Sequence, residues 1–280
     1  MMKFGIAAWG LRETVLEEQL AMARRLGVEL LELGIAGHPD DRLQADAGEL
    51  EIRQVQELFA QSGVTLLCAA TGNDFTSEEP EQCFRSLETV KKVLRIADCL
   101  GVRFLRIFAG FSPLECVSGE RWDIQLECLK KVYAAAENTQ VIPVVETHGG
   151  VITEKDDSVR HYSSTSTDYN ALDRILEEVP EMRLNFDPAN LFVVDIDVCA
   201  FYRRYQEKIV YMHLKDFVRS GCGFFPAACG KGRMDWMSLL REIKDFQGPV
   251  MLEYEIPANV EEGFRESLDF IRRKKASIAH

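Results

Sequence analysis

The chain has 280 residues, of which 46% are hydrophobic, and its formal net charge at pH 7 is −12. This acidic balance argues against a nucleic-acid partner, because contacts to phosphates need a basic surface. No apolar run approaches the roughly 18 residues of a membrane span, no signal-peptide pattern opens the chain, and the eight cysteines lack CxxC spacing. We therefore expect a cytoplasmic protein with neither a membrane nor a nucleic-acid partner.

Predicted strands and helices alternate from the start of the chain. The apolar run Phe4–Ala8 predicts a first strand, and Thr14–Leu26 has the apolar spacing of a helix. The next junction, in which a helix ends at glycine and a strand opens at valine, occurs three times, at Gly27, Gly63 and Gly101. These glycines are 36 and 38 residues apart (63 − 27 and 101 − 63), about one helix, one strand and two loops.

The second half of the chain continues this alternation. Further strands are predicted at Val141–Glu146, Met182–Asp187, Ile209–Leu214 and Pro249–Tyr254. Helices are predicted at Trp122–Asn138, Asp168–Val179, Val198–Tyr205, Asp235–Phe246 and about Glu261–Lys275. Eight strands, each followed by a helix, predict a single (β/α)8 TIM barrel domain over residues 1–280. A doubly wound sheet is the alternative, but no Gly-rich phosphate-binding sequence follows the first strand.

Four of the predicted strands end in side chains that can bind a metal. They are Glu146, Asp187, His213 and Glu253. Because the strands of such a barrel end at one rim and consecutive strands are neighbours, these side chains can converge on one ion. A single carboxylate at a strand end is commonly a solvated rim residue, whereas four ligands at equivalent positions indicate a metal site. Three carboxylates and an imidazole suit Mn²⁺, Mg²⁺ or Co²⁺, and Zn²⁺ also fits.

The alternation of side chains along each strand adds candidate substrate-binding residues. Asn185, Lys215 and Glu255 each lie two residues from a proposed ligand and share its face of the strand. Glu255 is also the fallback ligand for the last strand. His148, two residues after Glu146, is either a substrate contact or a surface histidine.

Other charged and aromatic residues belong to the same rim. Glu32 and Arg106 interrupt apolar runs, and because buried charges usually pair, we expect the two to meet in the barrel mouth. Arg106 is then either a structural ion-pair partner or a substrate anchor. Trp9 is a candidate apolar wall for a sugar, and Lys231 belongs to a glycine-bearing segment expected at the rim.

The motifs occur in an order that resembles a known family. They are Val145-Glu146-Thr147-His148, Asn185-Phe186-Asp187-Pro188-Ala189-Asn190, His213-Leu214-Lys215-Asp216, Gly230-Lys231-Gly232 and Met251-Leu252-Glu253-Tyr254-Glu255. Over essentially the whole chain the series resembles the xylose-isomerase-like TIM-barrel superfamily, in its sugar phosphate isomerase/epimerase family. The resemblance implies that the four residues named above as ligands bind one divalent metal, and that Glu146 and Glu253 form the acid/base pair.

The resemblance implies a metal-dependent isomerase or epimerase of a ketose, keto-polyol or related sugar. A metal that chelates a carbonyl and its neighbouring hydroxyl acidifies the carbon-bound proton and stabilises an enediolate, and two glutamates can move that proton. The same intermediate can expel a β-hydroxyl, so a lyase or dehydratase acting on a keto-sugar or inosose-type substrate is the alternative. A non-catalytic sugar-binding barrel is the second alternative.

Two further expectations concern partners. Asn190 stands where DNA-repair endonucleases of the superfamily place another histidine ligand, and this departure argues against that activity. The expected partner is a small sugar or polyol, and neither a neutral nor a phosphorylated form is preferred. Barrels of this family often form homodimers or homotetramers, which are therefore candidate states.

Overall fold

A computed structural model describes residues 2–221 and 223–278 of the chain. The strands in this part are β1 (Lys3–Ile6), β2 (Leu30–Gly34), β3 (Thr65–Ala70), β4 (Phe104–Phe108), β5 (Ile142–Glu146), β6 (Gly150–Thr153), β7 (Val159–Tyr162), β8 (Arg183–Phe186), β9 (Ile209–Leu214), β10 (Asp216–Ser220), β11 (Gly223–Ala227) and β12 (Pro249–Leu252). The helices are α1 (Leu16–Leu26), α2 (Glu49–Ser62), α3 (Pro80–Cys99), α4 (Glu120–Ala136), α5 (Tyr169–Glu178), α6 (Pro188–Phe192), α7 (Val198–Tyr205), α8 (Trp236–Glu242) and α9 (Val260–Ile278). Within the described ranges, none of the helices combines the length and apolar character needed to cross a bilayer.

The predicted (β/α)8 barrel is confirmed. Eight parallel strands close in the order β1-β12-β9-β8-β5-β4-β3-β2, and helices connect them. Gly27, Gly63 and Gly101 have φ angles of 64°, 71° and 75°, a left-handed conformation that glycine adopts without strain and that ends a helix before the next strand. The repeated Gly-Val junction therefore marks real helix ends.

The alternation of side chains along each strand divides the core into two layers. Tyr211 packs inside the barrel with Leu30 and Val144, whereas Met212 and Leu214 belong to the larger core between the strands and the surrounding helices. Because side chains two residues apart share a face, His213 follows Tyr211 into the interior. By the same alternation, polar side chains at the ends of the strands point into the barrel.

Some predicted element boundaries are wrong by a few residues. Asp187 lies one residue beyond β8, where its carboxylate caps α6 by accepting hydrogen bonds from the backbone N–H groups of Ala189 and Asn190, at 2.9 and 3.1 Å. Glu253 lies one residue beyond β12, and α8 is shorter than the predicted Asp235–Phe246. The ligand positions keep their places at the rim despite these shifts.

The largest departure from the predicted fold is a second sheet. Four antiparallel strands pair in the order β10-β11-β7-β6, and we call them the roof sheet. Its strands β6 and β7 form a hairpin after β5, and β10 and β11 form another after β9. Both hairpins leave the barrel at the rim where the predicted ligands lie, so the roof sheet covers that end of the barrel.

Candidate metal centre and its cavity

The structure brings the four predicted metal ligands together. Glu146, Asp187, His213 and Glu253 each contribute one ligand atom, and these atoms all lie within 4.8 Å of one another. His213 Nδ1 is 3.8 Å from a Glu146 carboxylate oxygen and 3.9 Å from one of Glu253. All four side chains are buried, so the cluster is a compact set of donors shielded from water.

The donor set fits a divalent metal ion. Among the described residues, neither Asp187 Oδ2 nor His213 Nδ1 has a hydrogen-bond partner, although both atoms are buried. Such atoms are rare in folded proteins unless water or an ion satisfies them. Burial raises the pKa of Glu146 to about 7 and that of Asp187 to about 6, and repulsion from the Glu253 carboxylate acts in the same direction on both groups. A cation among them would relieve that repulsion.

Glu32 orients the imidazole of His213. A Glu32 carboxylate oxygen lies 2.9 Å from His213 Nε2 and also accepts a hydrogen bond from the Tyr211 hydroxyl. The other oxygen accepts the backbone N–H of Ala8 at 3.0 Å. A proton on Nε2 held by Glu32 directs Nδ1 toward the carboxylate cluster, which is the arrangement by which proteins fix metal-binding imidazoles.

The predicted contact between Glu32 and Arg106 is wrong. Arg106 Nε lies 3.2 Å from Glu146 Oε2, and an Arg106 Nη1–H group donates to the backbone oxygen of Thr71 at 2.9 Å. The reason is the order of the strands: Arg106 on β4 is next to β5, which ends in Glu146, whereas β3 separates it from Glu32 on β2. The Arg106 guanidinium therefore pairs with the nearer carboxylate, that of Glu146.

Asn190 is a site residue that the sequence analysis noted only as a departure from an endonuclease pattern. Its side-chain amide donates to Glu146 Oε1 at 3.1 Å, so the two oxygens of Glu146 are held by an amide and by Arg106. The signal that could have found it is its place on the first turn of α6, three residues after Asp187. Asn190 therefore helps to fix the position of the Glu146 carboxylate.

Lys215 contacts three carboxylates of the site. Its ammonium lies 2.8 Å from Glu253 and 2.7 Å from Glu255, with which it forms hydrogen bonds. It also lies 3.2 Å from Asp187 Oδ2, in a geometry that is an ion pair and not a hydrogen bond. The lysine partly compensates the negative charge of the cluster and fixes the Glu253 side chain.

The cluster opens into a cavity of about 430 Å³. Of the predicted substrate-binding residues, five line it: Trp9, Arg106, His148, Lys215 and Glu255. Asn185 is buried at the register position opposite Glu146, and within the described residues its side-chain amide has no hydrogen-bond partner. Lys231 is not at the cavity, because its amine lies on the outer surface 3.3 Å from Glu266.

Aromatic side chains besides Trp9 also form walls of this cavity. The rings of Phe108 and Phe111 pack against each other with centroids 4.7 Å apart, and both contact the His148 ring, at 5.3 and 5.4 Å. From the roof sheet, the His161 ring packs 5.1 Å from that of Phe217. Both histidines are held neutral, since burial lowers the pKa of His148 to about 3 and that of His161 to about 4.

The fold and the strand-end cluster define a (β/α)8 barrel with a candidate metal centre at its C-terminal rim. The family model described as xylose isomerase-like TIM barrel matches residues 20–274. The chain belongs to this family. No curated protein sequence matches the chain.

Solved structures with the same fold include a dehydratase and sugar epimerases. A probable 3-DHS dehydratase, AsbF, from Bacillus anthracis superposes with a TM-score of 0.75 at 14% identity, over 97% of this chain and 99% of that one. D-psicose 3-epimerase from Clostridium cellulolyticum H10 gives 0.70 at 15% identity, over 98% and 99%. The 3-keto-D-glucoside 4-epimerase YcjR from E. coli gives 0.73 at 14% identity, over 98% and 100%. At these identities the likeness shows the shared fold.

Proposed function

We propose that the protein is a divalent-metal-dependent isomerase or epimerase of a ketose, a keto-polyol or a related sugar. The observation that carries this proposal is the buried cluster of four ligand atoms within 4.8 Å, at one end of a cavity large enough for a sugar. The donor set favours Mn²⁺, Mg²⁺ or Co²⁺. Similar folds in enzymes titled as sugar epimerases support the same class.

The proposed chemistry uses Glu146 and Glu253 as the acid/base pair. When bound, the ion would supply a Lewis acid that acidifies a carbon-bound proton next to a carbonyl. The two glutamates come from β5 and from the end of β12, which β8 and β9 separate in the barrel, so a substrate carbon can lie between them. One carboxylate removes the proton and the other returns it, which inverts that carbon.

The surrounding residues hold this pair in place. Arg106 and Asn190 each contact one oxygen of Glu146, and Lys215 donates to Glu253. Fixed carboxylates favour catalysis because the geometry of proton transfer is set before the substrate binds. Return of the proton to the adjacent carbon would give isomerisation in place of epimerisation.

A dehydratase acting on a keto-sugar is the second candidate function. Lys215 is the observation that favours it, because its ammonium lines the cavity beside Glu253 and Glu255. An ammonium in this position can donate a proton to a departing β-hydroxyl. The two candidates differ in their product, since only the dehydratase releases water.

The test begins with the metal content of the purified protein, measured by elemental analysis after incubation with Mn²⁺ and removal of the excess. We expect about one ion per chain, lost in His213→Ala and retained in His38→Ala, because His38 lines the cavity away from the ligand cluster. Ketoses are then screened for exchange of a carbon-bound proton with D₂O and for loss of water. Absence of bound metal in the unaltered protein would contradict the proposal.

A further inference from the structure

We propose that the substrate is a neutral sugar derivative with a flat apolar group, such as a keto-glycoside with an aromatic aglycone, and that this group binds beneath the roof sheet. The inference rests on the proposed function and names the substrate class of the same site. It depends on how polar and apolar side chains are distributed along the cavity.

The cavity has a charged end and an apolar part. Glu146 and Glu253 mark the charged end. On the side of the roof sheet, the walls are the Phe111 ring from the loop after β4, together with Val151 and Val159, whereas Arg12, His38 and Asp41 line the side of β1 and β2. The apolar side chains offer no hydrogen bonds, so sugar hydroxyls packed against them would lose contacts with water and gain none with the protein. A ring without hydroxyls fits this part of the cavity.

The size of the cavity agrees with a substrate larger than one monosaccharide. Its volume of about 430 Å³ falls within the roughly 300–1,000 Å³ that is typical of sites for drug-sized ligands. A sugar whose carbonyl and hydroxyl lie at the ligand cluster would leave the space beneath Val151 and Val159 unfilled. An aglycone attached to that sugar would fill it.

The charges around the cavity argue against a phosphorylated substrate. Of the described residues that line it, Arg12, Arg106 and Lys215 are the cationic ones. Arg106 is paired with Glu146 and Lys215 with Glu253, at 3.2 and 2.8 Å. Arg12 packs its guanidinium 4.6 Å from the centre of the Trp9 ring and donates to the backbone of the same residue. A phosphate would therefore meet two cations that are already paired with carboxylates, and Arg12, which is held by uncharged groups, beside several carboxylates.

His161 supplies one polar contact in the otherwise apolar part. It lines the cavity from β7, and among the described residues its buried Nε2 has no hydrogen-bond partner. Its ring edge packs against Phe217 and Phe224, which fixes the direction in which the nitrogen points. A single oxygen on the apolar group, or the glycosidic oxygen, would satisfy Nε2.

The test compares the binding of phenyl β-D-glucopyranoside and methyl β-D-glucopyranoside by isothermal titration calorimetry, with Mn²⁺ and again with EDTA. Burial of an aromatic ring predicts that the phenyl compound binds about tenfold more tightly or better, in both conditions. Glucose 6-phosphate should bind no more tightly than glucose. Equal affinities for the two glycosides, or a clear preference for the phosphate, would overturn the inference.

Two neighbouring residues of β6 provide matched variants. Both are partly exposed, Val151 at 49% and Ile152 at 42%, but only Val151 lines the cavity, because Ile152 alternates to the opposite face of the strand. Val151→Asp should remove most of the phenyl preference, and Ile152→Asp should leave it intact, with both variants keeping their thermal stability and metal content. Equal effects in the two variants would overturn the location beneath the roof sheet.

The outcomes separate this inference from the proposed function. A phenyl preference in EDTA, combined with no bound metal in any condition, would support the apolar subsite and contradict the metal-dependent enzyme. Metal binding and proton exchange without a phenyl preference would support the enzyme and contradict the subsite.

Discussion

The two sides of the cavity are built in opposite ways. The ligand cluster of Glu146, Asp187, His213 and Glu253 consists of buried ionisable groups at the ends of barrel strands. The roof sheet consists of short antiparallel strands that present apolar and aromatic side chains, with His161 as an uncharged polar group. The comparison shows that the buried charges lie at the ends of the barrel strands, whereas the apolar contacts lie on the two hairpins that are added at the rim.

The difference extends to the residues behind each wall. In the cluster, each ligand is held by a group from another element or by the helix that it caps: His213 by Glu32, Glu146 by Arg106, Glu253 by Lys215, and Asp187 by the start of α6. Buried charges need such partners, since an unpaired one is destabilising by several kcal/mol, about 3–5 when one partner is removed. The roof sheet depends on ring packing and backbone pairing, which tolerate substitution better.

The largest expected effect is on the proposed acid/base pair, Glu146 and Glu253. Glu146→Gln keeps the size of the side chain but removes the group that accepts the proton, so turnover should fall by about 10²–10⁴-fold. The measurement is the rate of proton exchange from a substrate ketose into D₂O. Glu154→Gln, at the end of the β6–β7 hairpin and paired with Arg160, is the control and should retain full activity. Full activity in Glu146→Gln would remove this residue from the mechanism.

The next effect separates metal binding from helix capping. Asp187→Asn keeps the Oδ1 acceptor that caps α6 and removes the charge, so metal affinity should fall by more than about a hundredfold with little change in melting temperature. Mn²⁺ titration followed by calorimetry measures the affinity. Glu255→Gln is the control, because Glu255 contacts Lys215 and lies outside the cluster. Loss of metal in the control and not in Asp187→Asn would reassign the ligand.

A smaller loss is expected from the residue behind His213. Glu32→Gln weakens the hydrogen bond that orients the imidazole, and metal affinity should fall by about 10–100-fold, the usual effect of altering such a supporting partner. Glu29→Gln, three residues earlier and exposed, should leave the affinity unchanged. An unchanged affinity in Glu32→Gln would show that strand geometry alone orients His213.

The ligand cluster could be predicted from the sequence because it depends on local signals. An apolar run that stops at a carboxylate or an imidazole is visible in the chain, and parallel strands of a barrel end at one rim. The partner of Arg106 was predicted wrongly although the same rule points to it, since Arg106 lies on the fourth barrel strand, next to the fifth, which ends in Glu146, whereas Glu32 lies on the second. Lys231 could not be placed from the sequence, because no local signal tells whether a loop turns toward the cavity or toward Glu266.

The roof sheet was missed because its strands have four or five residues and no strong alternation. One signal was present: Asp156 and Asp157 lie between two short β-prone stretches. In the structure, Asp157 has a φ of 62° and the Asp156 carboxylate accepts hydrogen bonds from Ser158, as in a tight turn. Such a turn indicates a hairpin. That the hairpin lies above the cavity can be seen only once the barrel is closed and the end of β5 is located at its rim.

The smallest expected effect tests, through the pH dependence of stability, whether His161 on the cavity face of the roof sheet is uncharged. Burial lowers the pKa of His161 from its ordinary value near 6.5 to about 4, so between these values the unfolded chain binds a proton that the folded chain does not. Stability should therefore fall as the pH decreases from about 6.5 to 4, by at most about 1.4 kcal/mol per pH unit for one histidine. The measurement is urea unfolding at a series of pH values.

His161→Phe and His161→Gln should both show a shallower loss of stability than the unaltered chain over this range. The two variants differ in polarity and share the absence of a titrating group, so a common flattening assigns the slope to protonation of His161 and not to lost packing. Curves parallel to that of the unaltered chain would mean that the imidazole is solvated in the folded state. In that case the roof sheet would admit water to the cavity. The two sides of the cavity would then differ in charge and not in their access to water.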